Sequence, residues 1–138
     1  MSSVTGEWPI RVYYEDTDHG GGVYYANYLR FFERARTELL RALGFEQDEL
    51  AQQHGILFVV RRVEVDYQRP AVFNDLLRVV SSVTELGRAR VTFDQAVYRE
   101  GEHAPLCQGR VEVACVAAGS FRPARIPAGI RHALGFPD

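Results

Sequence analysis

The chain has 138 residues, 46% hydrophobic and 25% charged, which matches one globular domain and leaves no room for a second substantial one. Its 16 basic and 18 acidic residues give a formal charge of -2, so there is no global basic field of the kind that holds duplex DNA, and general nucleic-acid binding is disfavoured. Met1 to Pro9 carries neither a positive end nor an apolar run, and the longest apolar stretch, Ile56 to Val60, is far short of the ~20 residues of a membrane helix, which argues against secretion and a transmembrane segment.

In chain order, Ile10 to Tyr14 alternates apolar and polar residues and predicts a short strand that stops at Glu15, Asp16 and Asp18. His19, Gly20, Gly21 and Gly22 predict a loop, because successive glycines lose backbone entropy and offer nothing to pack. From Asn27 the spacing changes. Tyr28, Phe32, Ala35, Leu39 and Leu43 recur every three or four residues, with Phe31, Leu40 and Ala42 widening the stripe, so a helix of about four turns follows. Asn27 suits its N-cap and Gly44 its C′ position, while Glu33 with Arg36 and Arg34 with Glu38 are spaced to pair on the solvated face. Gln47 to Gln53 predicts a second, shorter helix, acidic at its start and ended by His54 and Gly55.

After Gly55 the period becomes two and predicts four strands: Ile56 to Gln68, Leu76 to Leu86, Arg88 to Arg99 and Leu106 to Ala117. Their short connections require antiparallel pairing. Gly119, Pro123 and Pro127 predict an irregular tail. The result is an α+β domain spanning 1–138, with a long antiparallel sheet able to curl around one central helix; the helix covers only one face, so the edges and outer face point to homo-oligomerisation. Cys107 and Cys115 lie on one predicted strand, where ~3.3 Å per residue holds them beyond disulfide reach. Reduced thiols suit a cytoplasmic protein. Every basic residue is Arg, with no Lys, a bias that the codon usage of a GC-rich genome explains before phosphate recognition does.

Several mechanisms lack their residues. Gly119-Ser120 runs into Phe121 rather than forming G-x-S-x-G, and Gly20 to Gly22 is followed by Val23 with no Lys-Ser/Thr. His19, His54, His103 and His132 are scattered, giving zinc little support. Chemistry-bearing residues concentrate between Tyr13 and Tyr28, where acids adjoin a glycine turn that leads into a helix N-terminus. Such a terminus carries free N–H groups and roughly half a positive charge, which would polarise a carbonyl while an ionised carboxylate attacked it or activated water. A plainer reading takes Asp16 and Asp18 as loop acids bonded to nearby backbone, and Tyr24, Tyr25 and Tyr28 as packing residues. A divalent cation on Asp16-Thr17-Asp18 is a third reading, weakened by the lack of another carboxylate in firm spacing.

The run Arg11-Val-Tyr-Tyr-Glu-Asp-Thr-Asp-His-Gly-Gly-Gly-Val-Tyr-Tyr-Ala-Asn-Tyr28, followed by Phe32-Glu-Arg-Ala-Arg-Thr-Glu38, resembles the hotdog-fold acyl-CoA thioesterases. It is most similar to the Tol-Pal-associated branch of the 4-hydroxybenzoyl-CoA thioesterase family. The likeness continues through Phe58-Val-Val-Arg61, Val65-Asp-Tyr67, Arg69-Pro-Ala71 and Arg122-Pro-Ala-Arg-Ile-Pro127. It implies a hotdog domain that hydrolyses acyl-CoA, or an acyl carrier protein thioester, without cofactor or metal. It makes Asp18 the nucleophile or general base and the Tyr25 backbone N–H the carbonyl-polarising group, with Gly22, Val23 and Tyr24 beside the substrate. Tyr25 stands where the Tol-Pal branch usually has His, and Gly22 where it has a branched apolar residue. For the CoA phosphates the resemblance implies Arg88, Arg90, Arg122 and Arg125, with Arg61 and Arg62 weaker, at a subunit boundary of a homotetramer or dimer. Two rival readings are an acyl dehydratase using His19 with Asp18, and a non-catalytic acyl-CoA-binding module.

Overall fold

The computed structural model describes residues 4–136. The alternating runs form β1 (Thr5–Arg11), β2 (Ile56–Tyr67), β3 (Leu76–Leu86), β4 (Arg90–Arg99) and β5 (Cys107–Ala117). They make one antiparallel sheet in the order β1-β3-β4-β5-β2, so β1 and β2 are its free edges. The apolar stripe forms α1 (Asn27–Ala42), which buries Tyr28, Phe31, Phe32, Ala35, Leu39 and Leu40. Phe32 is fully buried, and truncating such a side chain to Ala costs about 3–5 kcal/mol. The helix rests on the sheet where β5 has Gly109, since a Cβ there would lie 2.7 Å from Phe32 Cε2. Two short helices complete the fold, α2 (Gln47–His54) and α3 (Ala128–Ala133).

Some local expectations are corrected. The first strand runs Thr5–Arg11 rather than Ile10 to Tyr14, because Tyr14–Asp16 closes a 3-10 turn. Asn27 lies inside α1 and Ala26 is the N-cap. β4 starts at Arg90, since Gly87, Arg88 and Ala89 make the turn from β3. The pairs Glu33–Arg36 and Arg34–Glu38 do not form among the described residues: Arg36 turns inward to Gln95, and Glu38 bonds Arg41 instead. Ala42 is exposed rather than part of the buried stripe. The tail is not irregular throughout, because Ile130 and Leu134 bury their side chains and fold α3 against the domain.

Cys107 and Cys115 are both free and buried near opposite ends of β5. The outer face of the sheet is polar, with ion pairs Arg110–Asp94 and Arg62–Glu64. Those charged side chains lie on the face away from α1. Of the two edges, β1 contains Pro9, which has no N–H to offer a new strand. No described helix is long and apolar enough to cross a membrane.

Candidate active site

The loop from Tyr13 to Ala26 is held by its own sequence. Asp16 is buried, and its two carboxylate oxygens accept from Tyr13 N at 2.9 Å and Asn27 Nδ2 at 2.8 Å. Its carbonyl accepts from Tyr24 N at 2.8 Å. One acid thus ties the start of the loop to the first turn of α1, with both oxygens bonded and the side chain buried. The plainer reading, a loop acid bonded to nearby backbone, holds for Asp16 through Tyr13 N and for Asp18 through Gly20 N; what separates the two acids is burial.

Asp18, two residues on, is exposed. Its Oδ1 accepts from Gly20 N at 2.9 Å in an Asx turn, and Gly21 takes φ +86°, which suits glycine. Asp18 N donates to Gly22 O at 2.9 Å, closing a narrow ribbon that presents the carboxylate at its tip. The carboxylate is felt by Tyr24, whose phenol is held above its ordinary value chiefly by the adjacent Tyr25 hydroxyl and, in the smallest part, by Asp18. Gly22 bridges Val72, and Val23 N donates to Ala71 O at 2.8 Å, strapping the loop to the β2–β3 connection. Ala71 N in turn donates to the Tyr28 hydroxyl at 3.0 Å, and burial pushes that phenol up.

The N–H groups of Val23 and Tyr24 are therefore spent. Those of Asn27, Tyr28 and Leu29 bond the carbonyls of Tyr24, Tyr25 and Ala26. Among the described residues the N–H groups of Tyr25 and Ala26 have no acceptor, and they head a 16-residue helix. This is the local field that stabilises negative charge growing on a carbonyl oxygen. Tyr67, at the end of β2, donates its hydroxyl to Tyr25 O at 3.1 Å and stands edge-on to the rings of Tyr25 and Tyr28.

The arginines lie elsewhere. Arg88 is level with the tail through a bond from Ile126 N to Arg88 O, and Arg122 O accepts from Ala117 N beside Ile56. Arg88, Arg122 and Arg125 are exposed, and their side chains make no ion pair among the described residues; Arg90 reaches Glu112 at 3.3 Å. Arg61 and Arg62 are occupied by Glu112 and Glu64. Arg88, Arg90, Arg122 and Arg125 lie toward the Ile56 end of the sheet and Arg61 and Arg62 at the middle of β2, whereas Asp18 and Tyr25 sit at the Tyr67 end. One chain does not bring them together.

At the arginine end a cavity of about 120 Å³ opens between α1 and the sheet, lined by Phe58, Val60, Phe93 and Leu134 together with Glu33 and Arg36. His19 and Asp18 form no ion pair with each other. No cluster of three or more His, Cys, Asp or Glu is placed to hold a metal among the described residues. Sequence reasoning passed over Tyr67 and the inward Arg36. A signal for the second was available: Gln95 interrupts the apolar face of β4 between Phe93 and Val97, and a polar residue there marks a buried bonding network.

The model of the thioesterase-like superfamily matches residues 12–134. The acyl-CoA thioesterase YbgC of Haemophilus influenzae is 44% identical over 127 residues, covering 92% of each chain. The acyl-CoA thioester hydrolase YbgC of Escherichia coli O157:H7 is 39% identical over 130 residues, 94% of this chain and 96% of that one. Among solved structures, a probable thioesterase from Bartonella henselae superposes with a TM-score of 0.84 at 36% identity, covering 90% of this chain and all of the other. A 1,4-dihydroxy-2-naphthoyl-CoA thioesterase from Synechocystis reaches a TM-score of 0.88 at 21% identity over 95% and 96% of the two chains, a likeness of fold.

Proposed function

Because this chain belongs to the thioesterase-like superfamily and is an acyl-CoA thioesterase, we propose that Asp18 drives the hydrolysis against a carbonyl held on the Tyr25 N–H. The observation that carries this is the contrast between two neighbouring acids: Asp16 spends both oxygens inside the loop, whereas Asp18 is exposed beside a helix terminus with unbonded N–H groups. Gly22, Val23 and Tyr24 form the ribbon along which the substrate lies.

The carboxylate attacks the thioester carbon directly or takes a proton from water that does so. As the new C–O bond forms, the carbonyl oxygen gains charge and is stabilised by the Tyr25 N–H, with the Ala26 N–H next to it. Collapse breaks the C–S bond and expels the coenzyme A thiolate, which is protonated by solvent. By the direct route the acyl group rests on Asp18 as an anhydride that water then opens; by the other, the free acid leaves at once. A single turnover in ¹⁸O-water separates them, since only the anhydride route allows the label to end in the Asp18 carboxylate.

The site is completed by a second copy. β2 is 12 residues long, so Tyr67 and Ile56 are separated by roughly 36 Å. Pairing β2 antiparallel with the same strand of another copy lays the Tyr67 end of one chain on the Ile56 end of the other. Asp18 then faces the partner's cavity for the acyl group, while Arg88, Arg90, Arg122 and Arg125 of the partner meet the CoA phosphates. A dimer suffices for this, and a tetramer would contain two such pairs. An acyl carrier protein is the alternative carrier, and a cytoplasmic location gives access to either.

The experiment is thiol release from a panel of acyl-CoA substrates by Asp18→Asn. A loss of about 10²- to 10⁴-fold in kcat with KM little changed is expected, as for removal of a general base or nucleophile. Near wild-type turnover by this variant would refute the assignment, and substrate binding without thiol release by the native protein would favour the binding-module reading.

A further inference from the structure

Arg36 is the buried cation of this fold. It is 8% exposed, and Nη1 donates to Gln95 Oε1 at 2.9 Å. Gln95 is itself fixed by bonds from its Nε2 to Phe32 O at 2.9 Å and Ser81 Oγ at 2.8 Å. The remaining Arg36 N–H groups have no acceptor among the described residues, and no carboxylate lies within ion-pair distance. Burial pulls this guanidinium down to about 10, with the Glu33 charge acting the other way, so it remains protonated at neutral pH. Its unbonded N–H groups are not sealed off, so they remain available to an acceptor in the cavity that Arg36 lines.

The same side chain lines the 120 Å³ cavity whose other walls are Phe58, Val60, Phe93 and Leu134. An engineered cavity of about 150 Å³ takes benzene, so this one fits a short acyl group of roughly five or six non-hydrogen atoms. Glu33 also borders the cavity. An anion arriving there meets attraction from Arg36 and repulsion from Glu33, whereas a neutral oxygen meets only the donor. Resting on the reading of this cavity as the acyl site, we infer that Arg36 is a specificity-determining residue, selecting short acyl groups with a neutral acceptor oxygen at the far end.

A site built to bond an oxygen discriminates strongly against the analogue that lacks it, because its own polar groups are then stranded. Three thioesters of nearly one shape test this: 4-oxopentanoyl-CoA, 4-methylpentanoyl-CoA and succinyl-CoA, which carry a carbonyl, a methyl group and a carboxylate oxygen at the same place. The expected kcat/KM for the oxo compound exceeds that for the methyl compound by about tenfold or more, with succinyl-CoA between or below. In Arg36→Met the oxo-to-methyl ratio falls to about one. Should that variant not fold, Glu33→Gln at the cavity border is expected to raise succinyl-CoA hydrolysis several-fold relative to the oxo compound. Equal rates for the oxo and methyl compounds in the native protein overturn the inference while leaving the thioesterase reading intact. Failure to release thiol from these and from unsubstituted acyl-CoA substrates overturns both.

Discussion

The two ends of the sheet are built in opposite ways. At the Tyr67 end, Asp16, Tyr28, Ala71 and Tyr67 hold a loop by hydrogen bonds, and Asp18, the proposed reactive group, projects from that frame. At the Ile56 end, Arg88, Arg122 and Arg125 stand exposed without carboxylate partners among the described residues, and the small cavity there is lined by apolar side chains together with Glu33 and Arg36. The arginines at the Tyr67 end are tied down, Arg11 to Asn74 O, Arg69 to Glu102 and Arg99 to Asp75, whereas those three at the Ile56 end are not. On the proposed reading these are two half-sites, which pairing of copies along the free β2 edge would join.

The sharpest way to break this comparison is to disable the ends separately. Asp18→Asn and a variant with Arg122→Ala and Arg125→Ala are each expected to be nearly inactive at low substrate. Mixed after unfolding and refolding together, they should recover about a quarter of wild-type activity, because half of random pairs are mixed and each mixed pair has one intact site. No recovery would mean that both halves act within one chain.

Next in size is the frame itself. Asp16→Asn turns an N–H toward one of two donors, Tyr13 N or Asn27 Nδ2, and is expected to cost about 1–3 kcal/mol of stability, read as a lower Tm. Its turnover below that Tm should exceed that of Asp18→Asn by at least tenfold; the reverse order would exchange the two roles. Tyr67→Phe keeps the ring contacts but frees Tyr25 O, and a fall of roughly three- to tenfold in kcat with KM held is expected. An equal effect on KM would make Tyr67 a binding residue instead.

The smallest effects are away from both ends. Burial pushes the Cys107 thiol up to about 12 and Cys115 up to about 11, from an ordinary 9.0. Raised thiols keep their protons in the folded state, so the stability they contribute is whole below about pH 9 and is lost as pH rises through 11 and 12. At pH 8 both should resist alkylation when native and react on unfolding. Fast native labelling would show that β5 opens.

Much of this fold was legible because its periodicities are strong. β3 matches its predicted bounds, Leu76 to Leu86, and α1 begins and ends within the span set by Asn27 and Gly44. Two of the errors share a cause, a tertiary bond that overrides a local signal. Asn27 looks like a cap but is drawn inward by Asp16, and Arg36 looks like a surface partner of Glu33 but is drawn inward by Gln95. α3 was hidden by Pro127 and Gly129, although Ile130 and Leu134 keep helical spacing. For the site, the residue types between Tyr13 and Tyr28 pointed to the chemistry. They did not reveal that Asp16 and Asp18 face different environments, which depends on a fold that brings Asn27 to one and solvent to the other.

The most direct test is a crystal structure with an unreactive acyl-CoA thioether or ketone analogue bound. The account predicts a ketone oxygen within hydrogen-bond distance of Tyr25 N, the Asp18 carboxylate on the opposite side of that carbon or linked to it by one water, and phosphates on arginines of the second copy. A carbonyl bound away from the start of α1, with Asp18 remote and unbridged, would contradict it.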